Sequence, residues 1–332
     1  MKRFIVRTLV FLVPIFIIPA IMIIADPFRI WFEYDDYYSG HQIGLNTDAI
    51  CFKIYNKNKD REKFDSFIMG SSRSQAFKVQ DWKSHVSESS SFHFSASGEG
   101  IYGILKKLEY LDEHKVSINN LLLILDESCL LYNKNKKGYL FITPPAFSKE
   151  SKKEYYKTFL KASLDFDFMK AYFDYRFSKK LKPYMNRHIS KLQLSGNYVN
   201  GDVWYDTYDA SIAKDSVKYY SSLITQGVFY DRAKSKNKKY PRMSDIEKEQ
   251  LRSIMKILQK HNTNYKIVIS PLYDQNPMQK DRLLFLNNLF GRAHVYDYSG
   301  INQYTEPIGN FYERSHYRPH VAKSILEEIY HK

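Results

Sequence analysis

Two cysteines, Cys51 and Cys129, are all that this 332-residue chain contains. No CxxC pair and no zinc-ligand spacing occurs, which excludes a thiol redox motif and a cysteine-built structural metal site. In an oxidising compartment the two thiols could pair, but sequence cannot bring them together. Two separate buried small hydrophobes is the simpler alternative. Acidic residues are also scarce, 36 Asp and Glu against 50 Lys and Arg, for a net charge of +14. No repeat of fixed period is visible, so a solenoid or propeller is excluded. No nucleic-acid module accompanies the basic residues either.

What is present is a large core-forming chain: hydrophobic residues make up 44% of it. Its length fits one large domain with insertions. The lysines come in short runs at 57–59, 134–137 and 234–239. Such runs read mostly as solvated loop and helix faces, with a bias toward anionic surroundings such as a polyanionic glycan or a phospholipid surface. Nucleic acid is not an expected partner.

Only one apolar run is long. Residues 9–25, extended by Phe4–Val6, approach the ~20 residues that a helix needs to cross a bilayer core. Lys2, Arg3 and Arg7 precede it, which places the N-terminus in the cytoplasm and the bulk of the chain outside. Ile18 and Ile23 stand where a signal peptidase would need small residues ahead of Ala20 and Ala25, so an uncleaved signal-anchor is expected over residues 1–25. Trp31, Phe32, Tyr34, Tyr37 and Tyr38 follow as interfacial aromatics, and residues 26–60 read as a juxtamembrane linker.

From residue 61 onward, strand and helix signals alternate. Phe67-Ile68-Met69 is a brief apolar run that ends at Gly70-Ser71-Ser72, as a buried parallel strand running into a turn would. Ser91–Phe94 alternates as a second strand and leads to Gly98, after which Ile101, Ile104, Leu105, Leu108 and Leu111 mark a helix. Asn119–Leu125 forms a third strand ending at Asp126. After a long interruption, Ser244-x-x-Glu247 caps another helix, Tyr265–Ser270 is a strand, Arg282–Phe290 is helical, and a last strand ends at Asp297. Near the C-terminus, Glu313 precedes His316 by three residues in a loop ahead of a helix marked by Val321, Ile325, Leu326 and Ile329.

A Gly-x-Ser turn after the first strand, together with a late acid-x-x-His, resembles the SGNH (GDSL-type) hydrolase superfamily. The resemblance implies an α/β fold, a flavodoxin-like three-layer sandwich with a parallel sheet, spanning residues 61–332. It implies Ser72 as nucleophile, His316 as general base and Glu313 as the orienting acid, where the family usually has Asp. Asp297, at a strand end, is the rival acid. The oxyanion hole would use the N–H groups of Ser72 and Gly98. The family's third donor is commonly Asn, yet this chain has Asp126 there. Protonated Asp126 or Ser128 would have to serve, or the hole is incomplete. No cofactor and no metal are implied. The tyrosine-rich stretch after the anchor is similar to that of bacterial membrane-anchored members encoded near surface-polysaccharide genes, and the anchor with its extracytoplasmic body resembles the proteins of alginate O-acetylation and of D-alanine transfer in teichoic-acid assembly. This implies an extracytoplasmic esterase or O-acyltransferase working on surface polysaccharide beside a multipass membrane O-acyltransferase.

Residues 131–242 break the alternation with aromatic, lysine-rich helical segments and read as a mainly helical cap inserted beside the site. Trp204, Tyr205, Tyr208, Tyr219 and Tyr220 are either a sugar-stacking platform or ordinary core aromatics. Two other functional classes stay open: a catalytically inactive scaffold that binds glycan or a membrane partner through the same cleft, and a basic surface-binding protein whose Ser72 turn and Glu313–His316 loop are unrelated.

Overall fold

The computed structural model describes residues 16–86, 89–232 and 240–331. Its centre is a five-stranded parallel sheet: β1 (Ser66–Ser71), β2 (Ser91–Ala96), β3 (Asn120–Leu125), β4 (Asn264–Ile269) and β5 (Val295–Asp297), in the spatial order β2-β1-β3-β4-β5. This is the order of a doubly wound α/β sheet, and its topological switch point lies between β1 and β3. Ser66 to Gly70 run in register with Asn120 to Ile124 across that junction. Ligands of such sheets bind outside the carboxyl ends of the strands at the switch point, so Ser72 and Asp126 flank the expected crevice.

Both faces of the sheet are covered, which explains the continuous apolar runs. Phe67, Met69, Leu121, Leu123, Ile267 and Ile269 point into one core, whereas Ile68, Leu122, Ile124 and Val268 point into the other. The first core is closed by helices α1 (Thr47–Glu62), α2 (Ile101–Glu113) and α4 (Asp245–Lys260), among others. The second is closed by the one-turn helix Val79–Lys83 and by α6 (Pro319–Tyr330). A short helix α3 (Glu127–Leu131) follows β3, and α5 (Lys280–Phe290) precedes β5.

Helix α1 lies inside the stretch read from sequence as a linker. Asn46 caps it by accepting from the Ala49 N–H, and Lys63 ends it in the left-handed region at φ 50°. Ile50, Cys51, Ile54 and Tyr55 then pack in the first core, so this helix is an integral layer of the body. The Ser244 capping box is present as expected, with Glu247 N–H donating to Ser244 Oγ and the Glu247 carboxylate receiving the Ser244 N–H. Between β1 and β2 the chain is helical in two short pieces. A 3-10 turn, Ser72–Ala76, stops where Phe77 goes extended to bury its ring, and the chain turns helical again at Val79.

The described residues between 131 and 242 include the helices Lys152–Ser163, Phe166–Ser178, Asp206–Lys214 and Ser216–Thr225. Phe159, Phe168, Ala171, Met185 and Ile189 share a separate apolar cluster with Met22, Phe28, Ile30 and Ile43. Of the expected membrane segment, residues 1–15 lie outside the described residues, and 16–25 are helical. Among the described residues no helix is long and apolar enough to cross a membrane. That helix runs into buried Asp26, whose carboxylate accepts from the N–H groups of Ile30, Trp31 and Phe32 and from the Tyr34 hydroxyl. Cys51 and Cys129 are buried, separate thiols, and burial pushes Cys51 up to about 11.

Candidate active site

Strand β1 is buried along its whole length and delivers its last residues to the carboxyl edge of the sheet. Gly70 is required there. A Cβ on it would lie 2.7 Å from the Ile124 carbonyl oxygen and 3.0 Å from Ser74 Cβ, so any side chain would push β1 off β3 or open the turn. Ser71 caps the 3-10 turn, and Ser72, its first residue, is half-buried at the crevice.

The opposing wall is a two-stranded hairpin, β6 (Phe311–Glu313) and β7 (His316–Tyr317), whose register pairs Glu313 with His316. This pairing sets the carboxylate against the imidazole. Ser72 Oγ lies 2.8 Å from His316 Nε2. His316 Nδ1 is hydrogen-bonded to Glu313 Oε1, and Glu313 Oε2 accepts from the Ser315 N–H at 2.9 Å. Burial works to raise the Glu313 pKa, but the His316 contact and the Ser315 N–H outweigh it and hold the carboxyl below its ordinary value. An ionised Glu313 fixes the proton of neutral His316 on Nδ1, which leaves Nε2 to accept from the Ser72 hydroxyl.

Aromatic residues of the insertion clasp this hairpin. Tyr219 Oη donates to the Tyr312 carbonyl at 2.7 Å, and Tyr220 Oη to the Phe311 carbonyl at 3.1 Å. Tyr312 Oη donates to Asp209 at 2.7 Å, and the Tyr205 ring centre is 5.3 Å from that of His316. Tyr205, Tyr208, Tyr219 and Tyr220 therefore sit in a packed cluster around Tyr312, and not on an open stacking platform. Trp204 lies apart from them, with Lys78 over its ring.

Gly98 lines the same cleft as Ser72 and His316. Its φ of +58° is costly for any residue with a Cβ, and Lys136 Nζ donates to its carbonyl oxygen. Asp126 plays a different part from the oxyanion role expected of it. Its carboxylate caps α3 by accepting from the Ser128 and Cys129 N–H groups at 2.7 and 3.1 Å, and it pairs with Arg73. Burial opposes its ionisation, but Arg73 and the Ser128 hydroxyl prevail and keep its pKa low, so it has no proton to donate to an oxyanion. Arg73 also donates to Ser128 Oγ and to the Ser315 carbonyl, both at 3.3 Å, tying the turn after β1 to the loop before His316. Asp297, the rival acid, is exposed and accepts from Ser299.

A second chain of the same residue types lies beneath the site. Ser74 Oγ is 2.9 Å from His93 Nε2, and His93 Nδ1 is 3.0 Å from Asp202. All three are buried, so the group meets no substrate. Burial holds His93 below its ordinary pKa despite Asp202. Ser74 Oγ also donates to the Ser71 carbonyl at 2.8 Å, so the His93–Asp202 pair braces the 3-10 turn that carries Ser72. Sequence reading saw His93 only as part of a strand.

The cleft over Ser72 has a volume of about 840 Å³. Arg73, Lys134, Lys136 and Lys137 line it, with Tyr132 and Phe141. The lysine run at 134–137, read from sequence as a solvated face, is thus a wall of the site. Among the described residues no group of three or more His, Cys, Asp or Glu side chains could hold a metal ion. No family model and no curated protein matches this chain.

Proposed function

We propose that this chain is a serine esterase or O-acyltransferase of the SGNH hydrolase-like kind, acting outside the cytoplasm on a cell-surface polysaccharide. The observation that carries the reading is the continuous hydrogen-bonded relay from Ser72 Oγ through His316 to Glu313. Its place at the switch point of a doubly wound sheet supports it.

In this mechanism Ser72 Oγ attacks an ester carbonyl while its proton moves to His316 Nε2. Glu313 stabilises the imidazolium and holds the ring. The N–H groups of Ser72 and Gly98 receive the developing oxyanion, where loss of one such donor typically costs about 3 to 4 kcal/mol. His316 then returns the proton to the leaving alcohol. Water or a sugar hydroxyl, deprotonated by the same imidazole, removes the acyl group from Ser72. The three lysines along the cleft, Lys134, Lys136 and Lys137, favour an anionic polymer as the partner that lies there. The anchor expected over residues 1–25 would hold the site beside a multipass acyltransferase.

The test is covalent labelling of the full-length chain, in detergent, by a fluorophosphonate. The wild type should label, and Ser72→Ala and His316→Ala should not. Labelling that persists in Ser72→Ala, or a folded wild type that stays unlabelled, rejects the reading.

A further inference from the structure

The Ser72–His316 pair lines two compartments that differ in charge. One is the 840 Å³ cleft with Arg73, Lys134, Lys136 and Lys137 in its wall. The other is a chamber of about 270 Å³ that is also lined by Ser72 and His316. Ile43, Leu45, Leu140, Leu192, Leu194 and Tyr205 make up its apolar wall; polar side chains, His41 and Gln42 among them, complete it, and among the described residues no Lys, Arg, Asp or Glu lines it. Two of its polar side chains are committed elsewhere, while Tyr38 Oη, His41 Nε2 and Gln42 Oε1 are buried without a hydrogen-bond partner among the described residues. Gln75 is held by the Tyr205 hydroxyl at 2.6 Å and donates to Ser95, while Thr47 Oγ1 accepts from the Ser97 N–H at 2.8 Å.

Resting on the serine reading above, we propose that this chamber is the acyl pocket, and that it takes an unbranched, uncharged acyl chain longer than acetyl. An ester carbonyl at Ser72 has two arms. The acyl arm fits the uncharged apolar wall, and the alcohol arm fits the basic cleft. Attack forms the Ser72 Oγ–acyl bond, the ester C–O bond breaks, and the alcohol leaves into the cleft with the proton from His316. The acyl chain stays in the chamber until water or a hydroxyl from the cleft side removes it. A chamber of about 270 Å³ has room for more than the two carbons of acetyl, which sets the optimum beyond acetate. Leu140 and Leu194 are the specificity-determining residues, because both are only partly buried and belong to the wall.

The experiment uses the full chain in nanodiscs with p-nitrophenyl esters from acetate to decanoate, alongside fluorophosphonate labelling. In the wild type kcat/KM should rise about fourfold per added methylene and then fall once the chamber is full. Leu140→Trp should lower the hexanoate-to-acetate ratio of kcat/KM at least tenfold, and Leu194→Ala should move the optimum to a longer chain. Unfolding midpoints report whether each variant is folded, and either one alone decides the question. A labelled, active protein with a flat chain-length profile, or with the same profile in a folded variant, overturns the acyl pocket and leaves the serine reading standing. A protein that neither labels nor turns over any ester overturns both.

Discussion

Replacing Glu313 by Gln tests the relay at its least exposed step. The carboxylate accepts two hydrogen bonds, one on each oxygen, from His316 Nδ1 and from the Ser315 N–H. An amide has one acceptor oxygen. If that oxygen faces His316, the NH2 group opposes the Ser315 N–H. If it faces Ser315, the NH2 group opposes Nδ1 and drives the imidazole proton to Nε2, where it can no longer accept from Ser72. Either arrangement loses a partly buried hydrogen bond, about 1 to 3 kcal/mol. The charge that stabilises the imidazolium is lost as well, about 4 kcal/mol for unit charges ~4 Å apart at an effective dielectric near 20. Because these terms overlap, a total of about 3 to 5 kcal/mol follows, a fall of roughly a hundredfold to several thousandfold in the second-order rate constant of fluorophosphonate labelling at pH 8. Glu313→Asp keeps the charge one methylene short of His316 and should fall between. Asp297→Asn, a change at an exposed carboxylate engaged with Ser299, should leave the rate alone. A Glu313→Gln rate within threefold of wild type would refute the relay.

Two further outcomes concern stability. Burial, and then the nearby Arg29 charge, hold His41 down to about 4 from an ordinary 6.5, so the unfolded chain binds the proton more readily than the native one between those values. Stability from this group is therefore complete above pH 6.5 and is lost as pH falls toward 4, by about 3 kcal/mol. Chemical unfolding followed by tryptophan fluorescence should show this slope, and His41→Gln should reduce it, leaving the part from His85, His93 and His320, which are displaced in the same direction. Lys107, fully buried, bridges Asp48 at 2.9 Å and Glu99. Lys107→Met strands two carboxylates and should cost about 3 to 5 kcal/mol, most of it recovered when Asp48→Asn and Glu99→Gln are added; a loss below 1 kcal/mol in the same unfolding assay would show the triad to be solvated.

The sheet was readable because strands covered on both faces are apolar throughout: Leu121 to Leu125 can hardly be anything else. Ser72, Glu313 and His316 were found through local spacing, Gly-x-Ser and acid-x-x-His, which a linear scan detects. Helix α1 was missed because its buried face includes Asn58 and Asp48 and its exposed face carries Lys and Asn, so no apolar period stands out. The Arg73–Asp126 pair and the Ser74–His93–Asp202 brace join positions far apart in sequence, and no local pattern encodes such a meeting. The same holds for the tyrosines: composition shows that they are abundant, but only the tertiary structure shows Tyr219 and Tyr220 gripping the backbone on either side of Tyr312. The sequence left Asp126, Ser128 and an incomplete hole open at the end of β3, because only the tertiary surroundings show Asp126 as a helix cap and the counter-ion of Arg73.

The junction after residue 25 has a mechanical consequence. Asp26 gathers three backbone N–H groups and a tyrosine hydroxyl, and Met22, Phe28 and Ile30 are buried in the same cluster as Phe159 and Phe168. A chain anchored as its sequence leads one to expect is therefore mounted on a stiff post and not on a leash. A flexible tether lets a site search a volume that grows with its length, whereas a post holds Ser72 at one altitude and one heading above the bilayer. Whatever meets the site would have to come to that altitude, and lengthening the junction with a glycine-serine spacer would trade a fixed station for a roaming one.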